Sequence, residues 1–150
     1  MPQPPYKIDF YEDDEGRKPC RDWIKEELSR TKRRAVGAAM LEVLQHQGIN
    51  VVSEKSWGRQ LGEGLTEFRV DRTLKDVRGK KVKLVLRVFF HAYGDKRLLL
   101  LHGYDKGRSP SARRQQREIE TARARLRDWT QRRRGTQARP GRARRSGKRR

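Results

Sequence analysis

Residues 98–108, LLLLHGYDKGR, constrain the fold of this chain more than any other stretch. Four consecutive leucines in a chain that is 39% charged and only 33% apolar have to be buried. Side chains alternate along a strand, so regular alternation puts Leu98, Leu100, His102 and Tyr104 on one face and Leu99, Leu101 and Gly103 on the other. Both faces are apolar, which predicts an interior strand covered on both sides. The polar residues that follow, His102, Tyr104, Lys106 and Arg108, then arrive at the rim of a sheet, where rigid scaffolds carry binding and catalytic groups.

Around this strand the pattern reads β-α-α-β-β-β-α. Residues 6–11 set Tyr6, Ile8 and Phe10 against Lys7 and Asp9, a half-buried first strand. After an acidic turn over 12–16, a helix starts near Pro19 with Trp23, Ile24 and Leu28 inward. Thr31 then offers an N-cap for a second helix running to about Gln47. It carries Val36, Ala39, Met40, Val43 and Leu44 at helical spacing, with Gly48 as its C-cap. Residues 49–64 read as a loop anchored by Trp57 and Leu61, with Gly62 and Gly64 as turn residues. Next, residues 65–71 place Phe68 and Val70 inward and Glu67 and Arg69 opposite. Residues 82–91 place Val82, Leu84, Leu86, Val88 and Phe90 on one side, and Val85, Arg87 and Phe89 on the other. A turn at Gly94-Asp95 leads to the leucine strand, and such short connections imply an antiparallel meander. Pro110 opens a third helix whose stripe of Ile119, Ala122, Leu126 and Trp129 packs on the sheet. The expected class is α+β: a small, mainly antiparallel sheet with a helical hairpin and a C-terminal helix packed on it. From Arg132 onward apolar periodicity stops, so residues 1–131 read as the folded domain and 132–150 as a disordered, Arg-rich tail.

Charge sharpens the functional question. The formal net charge is +20, and it is unevenly spread. Residues 1–64 hold 11 basic and 11 acidic side chains, residues 65–131 hold 18 and 8, and residues 132–150 hold 10 and none. A positive field over the strands, the last helix and the tail attracts polyanions, nucleic acid above all. The single cysteine, Cys20, permits no internal disulfide and fits a reducing compartment. No apolar run approaches the roughly 20 residues of a membrane helix, and the N-terminus lacks a signal-peptide order. The expectation is therefore a cytoplasmic protein with no membrane partner. Three histidines and one cysteine show no paired zinc-ligand spacing, and no phosphate-cradling Gly-rich loop is present, so neither metal nor cofactor is expected.

Arg87 stands out on a strand that is otherwise apolar on both faces. Arginine is rarely buried unpaired, so Arg87 either forms a salt bridge or faces a cleft. Arg69 poses the same question, with Glu67 two residues away available to neutralise either one. Together with Lys106 and Arg108 these cations suit a phosphodiester, whose oxygens guanidinium holds bidentately. Preplaced cations also stabilise the charge that develops when a 2′-hydroxyl attacks phosphorus. For proton transfer the candidates are His102, Tyr104 and Lys106. The alternation of His102 with leucines favours a buried, hydrogen-bonded core histidine over a catalytic one, and Tyr104 fits base stacking as well as simple packing.

The segments GLTEFRV, LRVFF, LLLLHGYDKGRSP and EIETARARL, in that order, resemble the consecutive signatures of RelE/HigB-type toxins of type II toxin-antitoxin systems, particularly the phage-like branch of the RelE/ParE superfamily. The resemblance spans roughly residues 6–130. It implies a metal-independent endoribonuclease that cuts mRNA on the ribosome, held in check by a cognate antitoxin, often a helix-turn-helix protein from the neighbouring gene. By motif position it carries catalytic expectations to Arg69, Arg87 and Lys106, with Tyr104 and His102 beside them. Where the family often has a second lysine this chain has Arg108, which joins Arg113, Arg114 and Arg117 as expected RNA contacts. Arg87→Ala is expected to abolish growth arrest without unfolding the protein. Two other readings stand beside the nuclease: a ParE-like gyrase inhibitor, and a non-enzymatic basic nucleic-acid-binding protein.

Overall fold

Five strands form one sheet in a computed structural model that describes residues 5–53 and 57–138. In chain order they are β1 (Lys7–Phe10), β2 (Gly58–Gly62), β3 (Leu65–Lys75), β4 (Lys81–Tyr93) and β5 (Arg97–Asp105). Across the sheet the order is β1-β5-β4-β3-β2, with β1 parallel to β5 and every other pair antiparallel. The leucine strand is thus interior, as its two greasy faces demand. Helix α1 (Pro19–Asp22) continues as a π-helical turn over Trp23–Glu27. Helix α2 (Arg30–Ala39) continues through a π-helical turn, Met40–Leu44, and a last α turn, Gln45–Gln47. These form the hairpin on one face of the sheet, and α3 (Ala112–Ala138) crosses the other.

Each face has its own core. Ile24, Leu28, Val36 and Leu44 of the hairpin pack on Phe68, Leu86, Val88 and Phe90. On the opposite face Ile119, Ala122 and Leu126 of α3 cover Leu65, Phe89, Leu99 and Leu101. The inward residues of β3, β4 and α3 are those their periodicity selects.

Regular alternation fails in β5. Phe89 pairs with His102 but Phe90 pairs with Leu100, so Leu101 is an extra residue, a bulge. With a period of two, one extra residue sends everything after it to the opposite face. Leu98 and Leu100 pack under the hairpin, while Leu99, Leu101 and Tyr104 pack under α3. His102 joins them, stacked on Phe89 with ring centroids 6.2 Å apart. Gly103 faces the hairpin instead, where the Trp23 ring lies so close that a Cβ would sit 2.4 Å from it. His102 and Tyr104 therefore share a face with Leu99 and Leu101, not with Leu98 and Leu100 as regular alternation requires.

Three boundaries also differ from expectation. The stretch read as a loop contains β2, a short polar edge strand whose pairing with β3 shifts between Gln60 and Gly62 and so shows no alternation. Ser29, rather than Thr31, caps α2, its hydroxyl accepting from Lys32 N at 3.3 Å. Helix α3 does not stop before Arg132 but runs to Ala138. Arg132 holds it through Asp128 Oδ2 at 2.7 Å and through the Glu12 carbonyl at 2.7 Å, so polar anchors replace the missing apolar stripe. The rest of the expected tail, residues 139–150, lies outside the described residues.

Candidate active site

On the α3 face, Arg69 and Arg87 occupy directly opposed positions of β3 and β4. Like charges so placed repel unless each is compensated. Glu67 accepts from Arg69 Nε at 2.9 Å, and Asp71 accepts from Arg87 Nη1 at 2.5 Å. Arg87 Nη1 also donates to the Leu86 carbonyl at 3.0 Å. Glu67 is fully buried and takes a further bond, at 3.2 Å, from Gln115 Nε2 of α3. Arg87 is 4% exposed, so it forms the floor of the cluster, while Arg69 and the half-exposed Asp71 reach its mouth. Of the two fates the sequence allowed Arg87, the salt bridge is realised, and its partner is Asp71 rather than Glu67. Strand register decides this: Asp71 stands opposite Val85, diagonal to Arg87, which the sequence cannot display.

Lys106 arrives from the turn after β5. That turn curls back onto β4, with Gly107 N donating to the Val85 carbonyl at 3.1 Å. Burial, followed by the fields of Arg87 and then Arg69, lowers the Lys106 ammonium below its ordinary pKa, while Glu67 and Asp71 oppose the shift. Tyr104 is buried beside the cluster and stacks on Phe89 at 6.2 Å. Burial and the Glu67 charge push its phenol up to about 12, so it stays protonated at neutral pH. Two buried polar atoms here, Arg87 Nε and Tyr104 Oη, have no hydrogen-bond partner among the described residues. Unpaired buried donors are unfavourable, and sites that receive a ligand oxygen are where they persist.

His102 is neither a sealed core residue nor part of this cluster. Its Nε2 bonds Glu118 of α3, and its Nδ1 lies 2.9 Å from Arg125 Nη1. A guanidinium only donates, so Nδ1 is the acceptor and the ring proton sits on Nε2. Burial dominates and lowers the His102 pKa, leaving a neutral ring at physiological pH. His102 and Arg108 instead line a cleft of about 740 Å³ between the α1–α2 junction, the end of β5 and the first turns of α3. Arg114 also lines it, tied to Glu118 and, at 3.4 Å, to Ser109. Arg113 and Arg117 stay exposed on α3 and join neither site. The predicted set is thus divided: Arg69, Arg87 and Lys106 converge, His102 and Arg108 belong to the cleft, and Tyr104 borders both. Sequence reading missed Asp71, Gln115 and Glu118, which only tertiary pairing reveals. Among the described residues no helix is long and apolar enough to cross a membrane.

These features define a class: a small α+β protein whose sheet carries a partly buried Arg-Lys cluster, floored by Arg87, beneath a long C-terminal helix. Within that class the chain belongs to the phage-derived protein Gp49-like family (DUF891), whose model matches residues 22–127, and this is a family of RelE-like toxins. The match includes the cluster and almost the whole cleft. No curated protein matches the chain.

Proposed function

We propose that the protein is the toxin of a toxin-antitoxin pair, of RelE/HigB type, and that it cleaves mRNA on the ribosome without a metal. The observation that carries this reading is the convergence of Arg69, Arg87 and Lys106 beside two buried donors that have no partner among the described residues. A scissile phosphate at the mouth of the cluster meets Arg69, with Arg87 beneath it, where fixed cations stabilise charge developing on phosphorus-bound oxygens. Of the two carboxylates only Asp71 is open to solvent, so it takes the 2′-hydroxyl proton. The 2′ oxygen bonds phosphorus, the 5′ oxygen leaves, and Lys106 protonates it, its lowered pKa suiting it to give up a proton. Tyr104, held neutral, donates to a phosphate oxygen. The partners on this reading are mRNA, the ribosome and a cognate antitoxin.

The test is induction of the wild type and of Lys106→Ala in cells, with mRNA ends mapped by primer extension. New 5′ ends in phase with codons, present only with the wild type, are expected. Growth arrest without new ends, accompanied by trapped gyrase-DNA complexes, would replace this reading with the ParE-like one.

A further inference from the structure

The cleft beside β5 contains a feature that the cluster does not explain. Arg125, on the inner side of α3, is half-buried and bonds the Leu101 carbonyl and His102 Nδ1, both at 2.9 Å. It has no carboxylate partner within ion-pairing distance among the described residues. Burial lowers its pKa. Of the other charges of the cleft, Lys32 pairs with Asp105 and Arg114 with Glu118, while Glu27 lines it without an ion-pair partner among the described residues. Arg108 is the second cation there without an ion-pair partner among the described residues, and it stands exposed at the entrance. Withdrawing a guanidinium from water without a counter-ion is unfavourable, so the pair Arg125 and Arg108 marks a place for an anion.

The rest of the wall says which anion. Trp23 lines the cleft, seated on Gly103, and offers an aromatic surface at its side. A guanidinium without a carboxylate partner among the described residues, an exposed arginine and an indole in one cleft are the elements that hold a nucleotide, phosphate on the cations and base on the ring. The cleft and the cluster meet at one turn, which Gly107 N ties to the Val85 carbonyl of β4: Lys106 lies within the field of the cluster's charges, and Arg108, two residues on, lines the cleft. A strand of RNA crossing that turn occupies both.

We infer that the cleft is a nucleotide subsite for the RNA residue next to the one held at the Arg69–Arg87 cluster, its phosphate on Arg125 and Arg108 and its base against Trp23. This inference rests on the RNA-cleaving reading above and assigns the cleft the choice of sequence. His102 is a positioning residue here: as a neutral acceptor it fixes Arg125, and Glu118 fixes its tautomer.

The experiment titrates the full chain with adenosine 5′-monophosphate, with inorganic phosphate, with a short single-stranded RNA and with an acidic peptide, followed by backbone amide NMR shifts. Nucleotide and RNA are expected to shift residues 102–108 together with the Trp23 indole. Arg125→Gln should weaken nucleotide binding by about tenfold and Arg108→Ala by about threefold, consistent with loss of charge-assisted bonds. Arg108 is exposed, so its variant tests the cleft even where Arg125→Gln, which gives up the Leu101 bond, fails to fold. In cells, Trp23→Phe and Arg108→Ala should redistribute cleavage among codons, whereas Lys106→Ala should remove it everywhere. Nucleotide binding that is indifferent to Arg108, or shifts caused by the acidic peptide and not by nucleotide, overturns the inference. Cleavage absent from the wild type, with Arg108-dependent nucleotide binding retained, overturns the nuclease reading and leaves the cleft a nucleotide site.

Discussion

Arg87 shows how a buried cation changes the meaning of its own mutation. Its guanidinium is held by Asp71 and by the Leu86 carbonyl, with Nε unpartnered among the described residues. Arg87→Ala therefore does more than remove a cation from the proposed site. Asp71 is half-exposed and water can solvate it, so the loss stays below the 3–5 kcal/mol of a fully buried pair. A decrease of about 1–3 kcal/mol in denaturant-derived stability is expected. Activity lost in that variant is ambiguous, contrary to what the strand pattern alone promises, and Lys106→Ala is the cleaner probe. Asp71→Asn keeps the shape, removes the proposed base, and on the RNA-cleaving reading should slow cleavage by about 10²–10⁴-fold. A faster enzyme would mean that Asp71 merely occupies the phosphate position on Arg87. Lys106 makes a third claim. Its ammonium titrates below the ordinary 10.5, so kcat/KM should fall along an alkaline limb that begins under that value. The sign for stability is opposite: the unfolded chain binds the extra proton, so the fold gains stability as pH rises through the same window. Lys106→Arg should abolish the limb in a pH-rate profile, while an unchanged limb assigns it to another group. None of these pairings could be read from sequence beyond Glu67 with Arg69, because a diagonal bond across two strands depends on register.

At the level of elements the decisive object is the bulge at Leu101. It turns His102 and Tyr104 toward α3 and Gly103 toward Trp23. A bulge inside a run of identical leucines leaves no trace in the pattern, since either parity buries a leucine on each face. The strands without a bulge were legible for the opposite reason: each has a polar or charged residue that fixes its phase. Gly103→Ala tests the arrangement directly. A methyl 2.4 Å from the Trp23 ring forces the hairpin away from β5, and overpacking of this kind costs about 1–3 kcal/mol. Thermal unfolding of Gly103→Ala should show that loss, and Trp23→Leu in the same chain should recover part of it. The other face has its own signature. Burial raises the Glu118 carboxyl, but bonds from His102 and Arg114 outweigh it and the net pKa is lowered. The His102 pKa is lowered too, by burial first. Stability should thus decline in two stages on acidification. The first begins near the ordinary histidine value of 6.5, as the unfolded ring takes up a proton the folded one refuses. The second lies below the ordinary 4.5 of glutamate, where the salt-bridged Glu118 protonates. Urea titrations from pH 8 to 2 check this, and His102→Gln should remove the first stage while keeping the second.

The whole molecule separates its charge from its scaffold. The balanced first 64 residues build the hairpin and one outer strand at each edge, and the excess of +10 over residues 65–131 lies on β3, β4, β5 and α3. Helix α3 carries that excess past the sheet, because Asp128 and Glu12 anchor Arg132 where apolar contacts end. Its continuation was illegible for a simple reason: periodicity reports burial, and an arginine-rich turn stays helical without being buried. The element order and both cores were legible because they depend on burial alone. If RNA is the partner, the basic C-terminal residues should act through counter-ion release rather than through the cleft. Residues 139–150 contain seven basic side chains. On single-stranded RNA each phosphate contact contributes about 0.7 to the slope of log K against log salt. Deleting residues 139–150 should therefore flatten that slope by up to about 5 in filter-binding titrations, and binding at low salt should fall steeply. If the cleft sets codon choice, that choice should not move. A deletion that leaves the slope intact shows that these charges make no contact with phosphate, and one that alters codon choice shows that they reach the site itself.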